Sequence, residues 1–400
     1  VNLESSHTKT KSLSLFFLIT AIVLVAFNLR PAITSVGPLV EMIQEDVGLV
    51  HWSAGLLTSL PLIAFAIVSP LVPKIASRLT NDRTLLLGLV VLLLGIGMRV
   101  FALKFFLFAG TLFVGVGIAI LNVLLPVIVK DKFPGKVALM TSVYSTSMSL
   151  MASLASGVSI PLASGLHLGW KTTLIVWGIP VVLAIAIWLY MLKYSKGNQT
   201  ELNQVHQSDH RIWRSSLAWQ IAFFLGLQSF LFYVTVAWLP AILHDKGVSI
   251  GTAGWLLSFT QFIGLPFSFM VPVIAGRFRS QQWIAAALGL SSLAGFGGLL
   301  LDTSFPVMLL FIVLLGIGLG GSFPLALTFI AIRARDVKQA AELSGMSQSI
   351  GYVLAAVGPL FIGYLYDLTH LWNTPIITLS IITILLMLFG MYAGRDRYVY

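Results

Sequence analysis

One arginine is the centre of whatever chemistry this chain performs. Arg30 stands in the stretch Asn28-Leu29-Arg30-Pro31-Ala32-Ile33-Thr34, inside an apolar run from Leu13 to about Val40. A run of that length is enough for a helix across a bilayer, which takes about 20 residues. A full positive charge near its middle costs about 3 kcal/mol on insertion scales, so it must face a wet cavity or a partner rather than lipid. Pro31 has no N–H to donate, and a helix passing through it kinks or loosens. A charge beside a backbone break at mid-depth is how a membrane-embedded binding site is built. The competing reading is an arginine paired inside a helix bundle for structure alone.

The acidic residues sharpen the choice. All fourteen Asp and Glu residues fall in loops or at the ends of apolar runs, and all seven histidines lie outside the mid-depth region. The apolar interior therefore holds a cation without an acid placed to pair with it. A guanidinium in a low-dielectric cavity attracts an anion or an electron-rich polar solute, because Coulomb forces strengthen as water leaves. The same distribution argues against a design that takes up protons on a buried acid. With Asn28 and Thr34 flanking it, Arg30 is expected to bind a small solute. Arg30→Ala should abolish that function and leave the fold intact.

The elements that must hold this group are membrane spans. Of 400 residues, 58% are hydrophobic and only 10% charged, against roughly 25% charged in soluble proteins. Twelve apolar runs are visible, at about 13–40, 50–73, 84–103, 105–130, 136–163, 171–194, 213–243, 250–275, 281–301, 305–333, 339–366 and 373–393. They are continuously apolar rather than alternating, which excludes barrel strands, so each is read as a helix. The first run follows Lys9 and Lys11 but is too long for a signal peptide and is expected to stay as a span. The net charge of +10 reflects topology, not nucleic-acid binding. With both termini on one side, nineteen of the 24 lysines and arginines fall in segments of that side, and only Lys104, Lys171 and Lys246 in loops of the other. By the positive-inside rule both termini are cytoplasmic.

The chain repeats itself. Pro73-Lys74-Ile75-Ala76-Ser77-Arg78 matches Pro272-Val273-Ile274-Ala275-Gly276-Arg277, and Ser53-Ala54-Gly55 matches Thr252-Ala253-Gly254, at one offset. Gly115-Val116-Gly117-Ile118 matches Gly316-Ile317-Gly318-Leu319, and Trp170 matches Trp372, at nearly the same offset. Six spans are thus duplicated in the same orientation. The expected organisation is a six-helix bundle over 1–194, a polar cytoplasmic linker over 195–212, and a second six-helix bundle over 213–400. The glycine pairs are small-residue helix contacts, not phosphate loops, since no strand precedes them and no Lys-Ser/Thr follows.

Two six-span halves, a central linker and basic loops after spans two and eight resemble the major facilitator superfamily. Its loop signature is degenerate here, with Asn81-Asp82-Arg83 and Gly276-Arg277-Phe278-Arg279 keeping parts of it. Three stretches look like its cyanate porter branch, which includes cyanate and 2-nitroimidazole transporters. They are Asn28 through Pro38, Phe224 through Ser229 with Trp238 through Leu243, and Gly320 through Leu327. The resemblance implies an all-α membrane fold of twelve transmembrane helices, in two six-helix bundles related by a pseudo-two-fold axis, working by alternating access. It also implies that spans 1, 4, 7 and 10 line the cavity, with 2, 5, 8 and 11 beside them. On those spans Asn122, Tyr144, Gln228, Tyr233, Gln261, Ser322, Gln348 and Tyr352 are candidates to bind substrate along with Arg30, Asn28 and Thr34. Each could instead cement helix to helix. Third spans are peripheral in the superfamily, so Arg99, about one turn from the end of span three, is expected to snorkel to the interface.

No span pairs a nucleophile with a base, no nucleotide motif or metal-ligand cluster is present, and there are no cysteines. The expectation is a carrier, not an enzyme, with no cofactor and no metal: a monomeric, multi-pass plasma-membrane protein whose partners are lipid and a small solute, cyanate-like or another organic anion. The alternative is an exporter of neutral nitro-heterocyclic or other drugs.

Overall fold

The computed structural model describes residues 16–49, 51–101, 103–194, 210–301 and 304–399. Every regular element among them is helical. The expected linker lies almost wholly outside the described residues, which resume in a 3-10 turn, His210–Arg214.

The first span is in three pieces: α1 over 16–27, α2 at Pro31–Thr34 and α3 at Val36–Val47. The second is α4, His51–Val68, carried through a 3-10 turn at Ser69–Leu71 into α5, Val72–Leu79. The third is α6, Asn81–Met98, and the fourth α7, Lys104–Lys132. The fifth is α8, Val137–Ile160, ending in a π turn at Pro161–Gly165. The sixth is α9, Gly169–Val176, with α10, Gly178–Tyr194. The remaining six are α11 at Ser216–Asp245, α12 at Ile250–Ala275, α13 at Gln282–Gly298, α14 at Phe305–Arg333, α15 at Val337–Thr369 and α16 at Asn373–Ala393. Eleven of the twelve have the length and apolar content to cross a membrane. The exception, α13, has 17 residues, about 26 Å of helix. Bonds from the N–H groups of Leu300 and Leu301 to the Gly297 and Gly298 carbonyls prolong it by a tight turn. The chain is an all-α multi-pass membrane protein.

The helices gather into two compact units. One holds Val1–Pro61, Lys74–Leu125 and Leu150–Ser208; the other holds Leu62–Pro73, Pro126–Ser149 and Asp209–Tyr400. This cut does not follow the sequence halves, because Leu62–Pro73 and Pro126–Ser149 pack on the later helices.

In the first unit α6 and α7 cross at glycines. A Cβ on Gly117 would lie 2.7 Å from the Leu92 nitrogen and 2.8 Å from the Gly88 carbonyl. No larger residue fits, and the small contact lets the backbones approach. The Trp188 indole of α10 donates to the Asp82 carbonyl at 2.9 Å, tying α10 to the start of α6. At the opposite end Val36, Leu39, Ile43, Leu57, Leu107, Trp170 and Leu174 form one apolar cluster.

In the second unit Gly318 of α14 plays the part of Gly117. A Cβ there would collide with Ser292 and come within 2.7 Å of the Leu288 carbonyl on α13. Ser349 of α15 donates to the Ala66 carbonyl at 2.6 Å, and Tyr352 meets Phe65 edge-on, with centroids 4.5 Å apart. Buried Arg333 gathers the chain at the end of α14: its Nη2 donates to the carbonyls of Arg279 and Gly394 at 3.2 and 3.1 Å and to the Gln281 side chain.

Candidate functional site

The site is built where the first span fails to stay helical. The N–H groups of Asn28 and Leu29 bond back only three residues, to Val25 and Ala26 at 3.0 and 3.2 Å, which tightens the end of α1. Arg30 leaves helical geometry at φ −126, ψ −41. Pro31 opens α2 as its first residue, where a missing N–H is tolerated. The N–H groups of Ile33 and Thr34 converge on the Arg30 carbonyl at 2.9 and 3.0 Å. One turn later, at Ser35, α2 gives way to α3. The break foreseen at Arg30-Pro31 is present, and the arginine sits in it, partly exposed.

Three other helices of the same unit hold this break by polar contacts, and a fourth, α7, steadies one of the groups that does so. Asn28 is 3% exposed, and its amide donates to Leu24 of its own helix at 2.6 Å and to Pro180 of α10 at 3.2 Å. The Thr34 hydroxyl lies 3.2 Å from the Arg30 carbonyl and 3.3 Å from that of Ala152 on α8. The Thr34 carbonyl accepts from Ser156, also on α8, at 3.2 Å. Arg99, the C-cap of α6, donates through Nη1 to the Ala32 carbonyl at 2.5 Å and through Nε to Thr111 of α7 at 3.1 Å.

Arg99 corrects an expectation. It does not snorkel: the residue is 2% exposed and among the largest fully buried side chains of the chain. The reason is Gly110 on α7, where a Cβ would come within 3.1 Å of the Arg99 Cγ and 2.7 Å of the Gly95 carbonyl. That gap admits the aliphatic stem and turns the guanidinium inward. The only signal in the sequence is the charge itself; which face of α6 it occupies is decided by a residue on another helix.

The other candidates divide by unit. Asn122 belongs with Arg30, Asn28 and Thr34 in the first unit and is 7% exposed. Tyr144, Gln228, Tyr233, Gln261, Ser322, Gln348 and Tyr352 belong to the second. Ser322 is fully buried and donates to the Gly318 carbonyl of its own helix at 2.6 Å. The Gln228 side-chain oxygen accepts from Ser229 at 3.3 Å. Tyr144 and Gln348 are 1% exposed and Tyr352 2%, whereas Tyr233 is partly exposed and Gln261 exposed. Most of these groups are thus embedded in helix packing, and Arg30 combines charge, mid-span position and access. Two open cavities lie elsewhere, at helix connections: about 610 Å³ beside Lys246 and Ser249, and about 590 Å³ beside Asp46 and Trp170. No group of three or more His, Cys, Asp or Glu able to hold a metal ion occurs among the described residues.

Such an arrangement can bind a solute. The comparisons with known proteins agree. The model of the Major Facilitator Superfamily matches residues 15–356 and 221–399. The chain is 48% identical to the Bacillus subtilis (strain 168) "Uncharacterized transporter YycB", over 98% of this chain and 97% of that protein. It is 38% identical to the 2-nitroimidazole transporter of Escherichia coli (strain K12), over 95% and 96%. It is 26% identical to the cyanate transport protein CynX of the same organism, over 88% and 90%. Among solved structures, the proton:xylose symporter XylE has the same fold, with a TM-score of 0.77 at 12% identity over 97% of this chain and 98% of that one. The protein is a transporter, not an enzyme, and its chain belongs to the major facilitator superfamily, in the branch that holds the cyanate and 2-nitroimidazole transporters.

Proposed function

We propose that this transporter carries a small anionic or strongly polar solute by alternating access, with Arg30 as the group that recognises it. The observation that carries the reading is the placement of Arg30: a partly exposed arginine at mid-span, in a backbone break. The acidic residues support it, since those in the described helices lie within about two turns of a helix end. A planar guanidinium suits a carboxylate or a nitro group by two parallel hydrogen bonds, and a linear cyanate by its charge and one terminal atom. Asn28 and Thr34 then act as supports of the break. The lysine and arginine bias supports a plasma-membrane carrier with both termini in the cytoplasm.

Purified protein should be screened by thermal shift against sodium cyanate, 4-hydroxybenzoate, other small anions and 2-nitroimidazole, because a ligand of the folded state raises the midpoint by mass action. Flux of the best ligand in proteoliposomes follows. Arg30→Ala should abolish flux in a folded protein, and Arg30→Lys should impair it because the planar fork is lost. Full flux in Arg30→Ala would overturn the reading.

A second reading is export of neutral nitro-heterocycles, with Arg30 bonding the nitro group. The 38% identity to a 2-nitroimidazole transporter favours it. Direction of movement separates the two: uptake of a labelled anion, or efflux of the heterocycle.

A further inference from the structure

We infer that Arg99 is a positioning residue of this transporter: from α6 it holds the broken segment of the first span in the shape that presents Arg30. The inference rests on the reading of Arg30 given above.

Three observations carry it. First, the guanidinium is buried inside a membrane protein, and no acid among the described residues pairs with it. Among the described residues its acceptors are the Ala32 carbonyl and the Thr111 hydroxyl, and its Nη2 has none. A charge in that position is costly, and a hydrocarbon side chain of similar length would pack there at no such cost. The contact that the charge makes is therefore what distinguishes it from a packing residue. Second, the contact is aimed. Thr111 donates its own proton to the Leu107 carbonyl at 2.8 Å, which leaves its oxygen lone pairs for the Arg99 Nε. With Nε fixed on α7, the planar fork directs Nη1 at one place, Ala32.

Third, that place is the middle of the break. The contacts from Pro180, Ala152 and Ser156 grip residues 28 and 34, the flanks. Arg99 alone among these contacts reaches the interior of the turn that follows Arg30, at Ala32. Without it α2 is a single turn, Pro31–Thr34, held only at its margins. A one-turn helix has little stability of its own, so its orientation, and that of Arg30 beside it, follows the group that bonds its carbonyl. A shift of about 1 Å in a recognition group costs up to 100-fold in function.

The test uses Arg99→Met, whose unbranched side chain fills the same slot without charge. The chain has no cysteines, so spin labels can be placed on Gly37→Cys in α3 and Gly157→Cys in α8, where a Cβ meets nothing within 4 Å. Dipolar EPR then reads the placement of the segment after the break, and binding of sodium cyanate and 2-nitroimidazole reads the site. Arg99→Met should fold, change or broaden the label separation, and weaken binding of the better probe about tenfold or more. It should cause no further loss in an Arg30→Ala background. Arg99→Lys should recover part of the binding. Unchanged separation and affinity in Arg99→Met would overturn the proposal, as would equal losses with and without Arg30. If Arg30→Ala binds normally while Arg99→Met still moves the labels, the Arg30 reading fails and the hold on Ala32 stands. Should Arg99→Met not fold, Thr111→Val keeps the shape and removes the aim; it should give the same changes in smaller measure, and no change would count against Arg99.

Discussion

The carbonyl of Ser69 faces Gly345 so closely that a Cβ on the glycine would sit 2.8 Å from the oxygen, and 3.1 Å from the Pro73 ring. One repeat later the same contact recurs with the partners exchanged: the Ser268 carbonyl faces Ser145, whose hydroxyl lies 3.3 Å away. Ser69 and Ser268, like Gly345 and Ser145, stand about one half-chain apart, as a duplicated unit requires. Both contacts lie in one compact unit and fasten Leu62–Pro73 and Pro126–Ser149 to the later helices.

Gly345→Ala should therefore weaken this packing. The atoms in the way are backbone and a proline ring, neither of which swings aside, and overpacking of that kind costs roughly 1–3 kcal/mol. Gly254→Ala is the control, because nothing lies within 4 Å of its Cβ and it is helical. Alanine there should be neutral or stabilise by up to about 1 kcal/mol. Apparent unfolding midpoints in detergent should fall for the first and hold or rise for the second. A midpoint of Gly345→Ala at or above the parent value would refute the packing argument.

Lys130 should be worth more to stability than an exposed lysine. Its ammonium donates to the Ala331 and Ala334 carbonyls at 2.9 and 2.6 Å, at the C-terminal end of α14, where the helix dipole is negative and carbonyls lack helical donors. A cation there contributes up to about 2 kcal/mol when partly buried. Lys130→Met should lower the unfolding midpoint at both low and high salt, since a half-buried pair is screened little. Its neighbour Lys132, ion-paired on the surface to Asp131, should give almost no change when replaced in the same way.

What could be read from the residues follows from what acts locally. Continuous apolar runs set the spans, Pro31 beside a charge marked the break, and the repeat in Gly115–Ile118 and Gly316–Leu319 pointed to the glycine crossings at Gly117 and Gly318. Rotation of a side chain about its helix could not be read. Asn28 turned toward α10 and Arg99 toward α2 because of groups on other helices, Pro180 in one case and Gly110 in the other. Ser322 spends its hydroxyl on its own helix, an outcome open to any serine there. The polar residues were visible in type and depth, but which were helix cement depended on tertiary packing.

Asp46 makes a small part of the stability depend on pH. Its carboxylate accepts from the Lys171 ammonium at 2.9 Å and the Trp170 indole at 3.0 Å, and these bonds, Lys171 first, hold its pKa below the ordinary carboxylate value. Because the folded pKa is the lower one, the stabilisation is complete above the unfolded pKa of about 4. It is lost as pH falls through the folded value. Asp46→Asn should therefore show a midpoint deficit that is constant from pH 7 to about 5 and shrinks below about 4. A deficit that grew on acidification would reverse the sign and remove the argument. The pair is well exposed, so the deficit should be small.

Pro31→Ala tests whether the break is a requirement or an accident. An alanine N–H at position 31 is able to reach the Phe27 carbonyl and rejoin α1 to α2, removing the interruption that now runs from Asn28 to Arg30. A proline inside a helix costs about 3 kcal/mol relative to alanine. At the first position of α2 little of that is felt, so stability should be unchanged or rise by about 1 kcal/mol at most. Function should move the other way, since closing the helix swings Arg30 about the axis and away from where Arg99 and Ala32 now fix it. Flux of cyanate or 2-nitroimidazole in proteoliposomes should fall at least about tenfold, the loss expected when a recognition group is displaced. Normal flux with a higher midpoint would mean that Arg30 works equally well from an intact helix, and the break would then need another explanation.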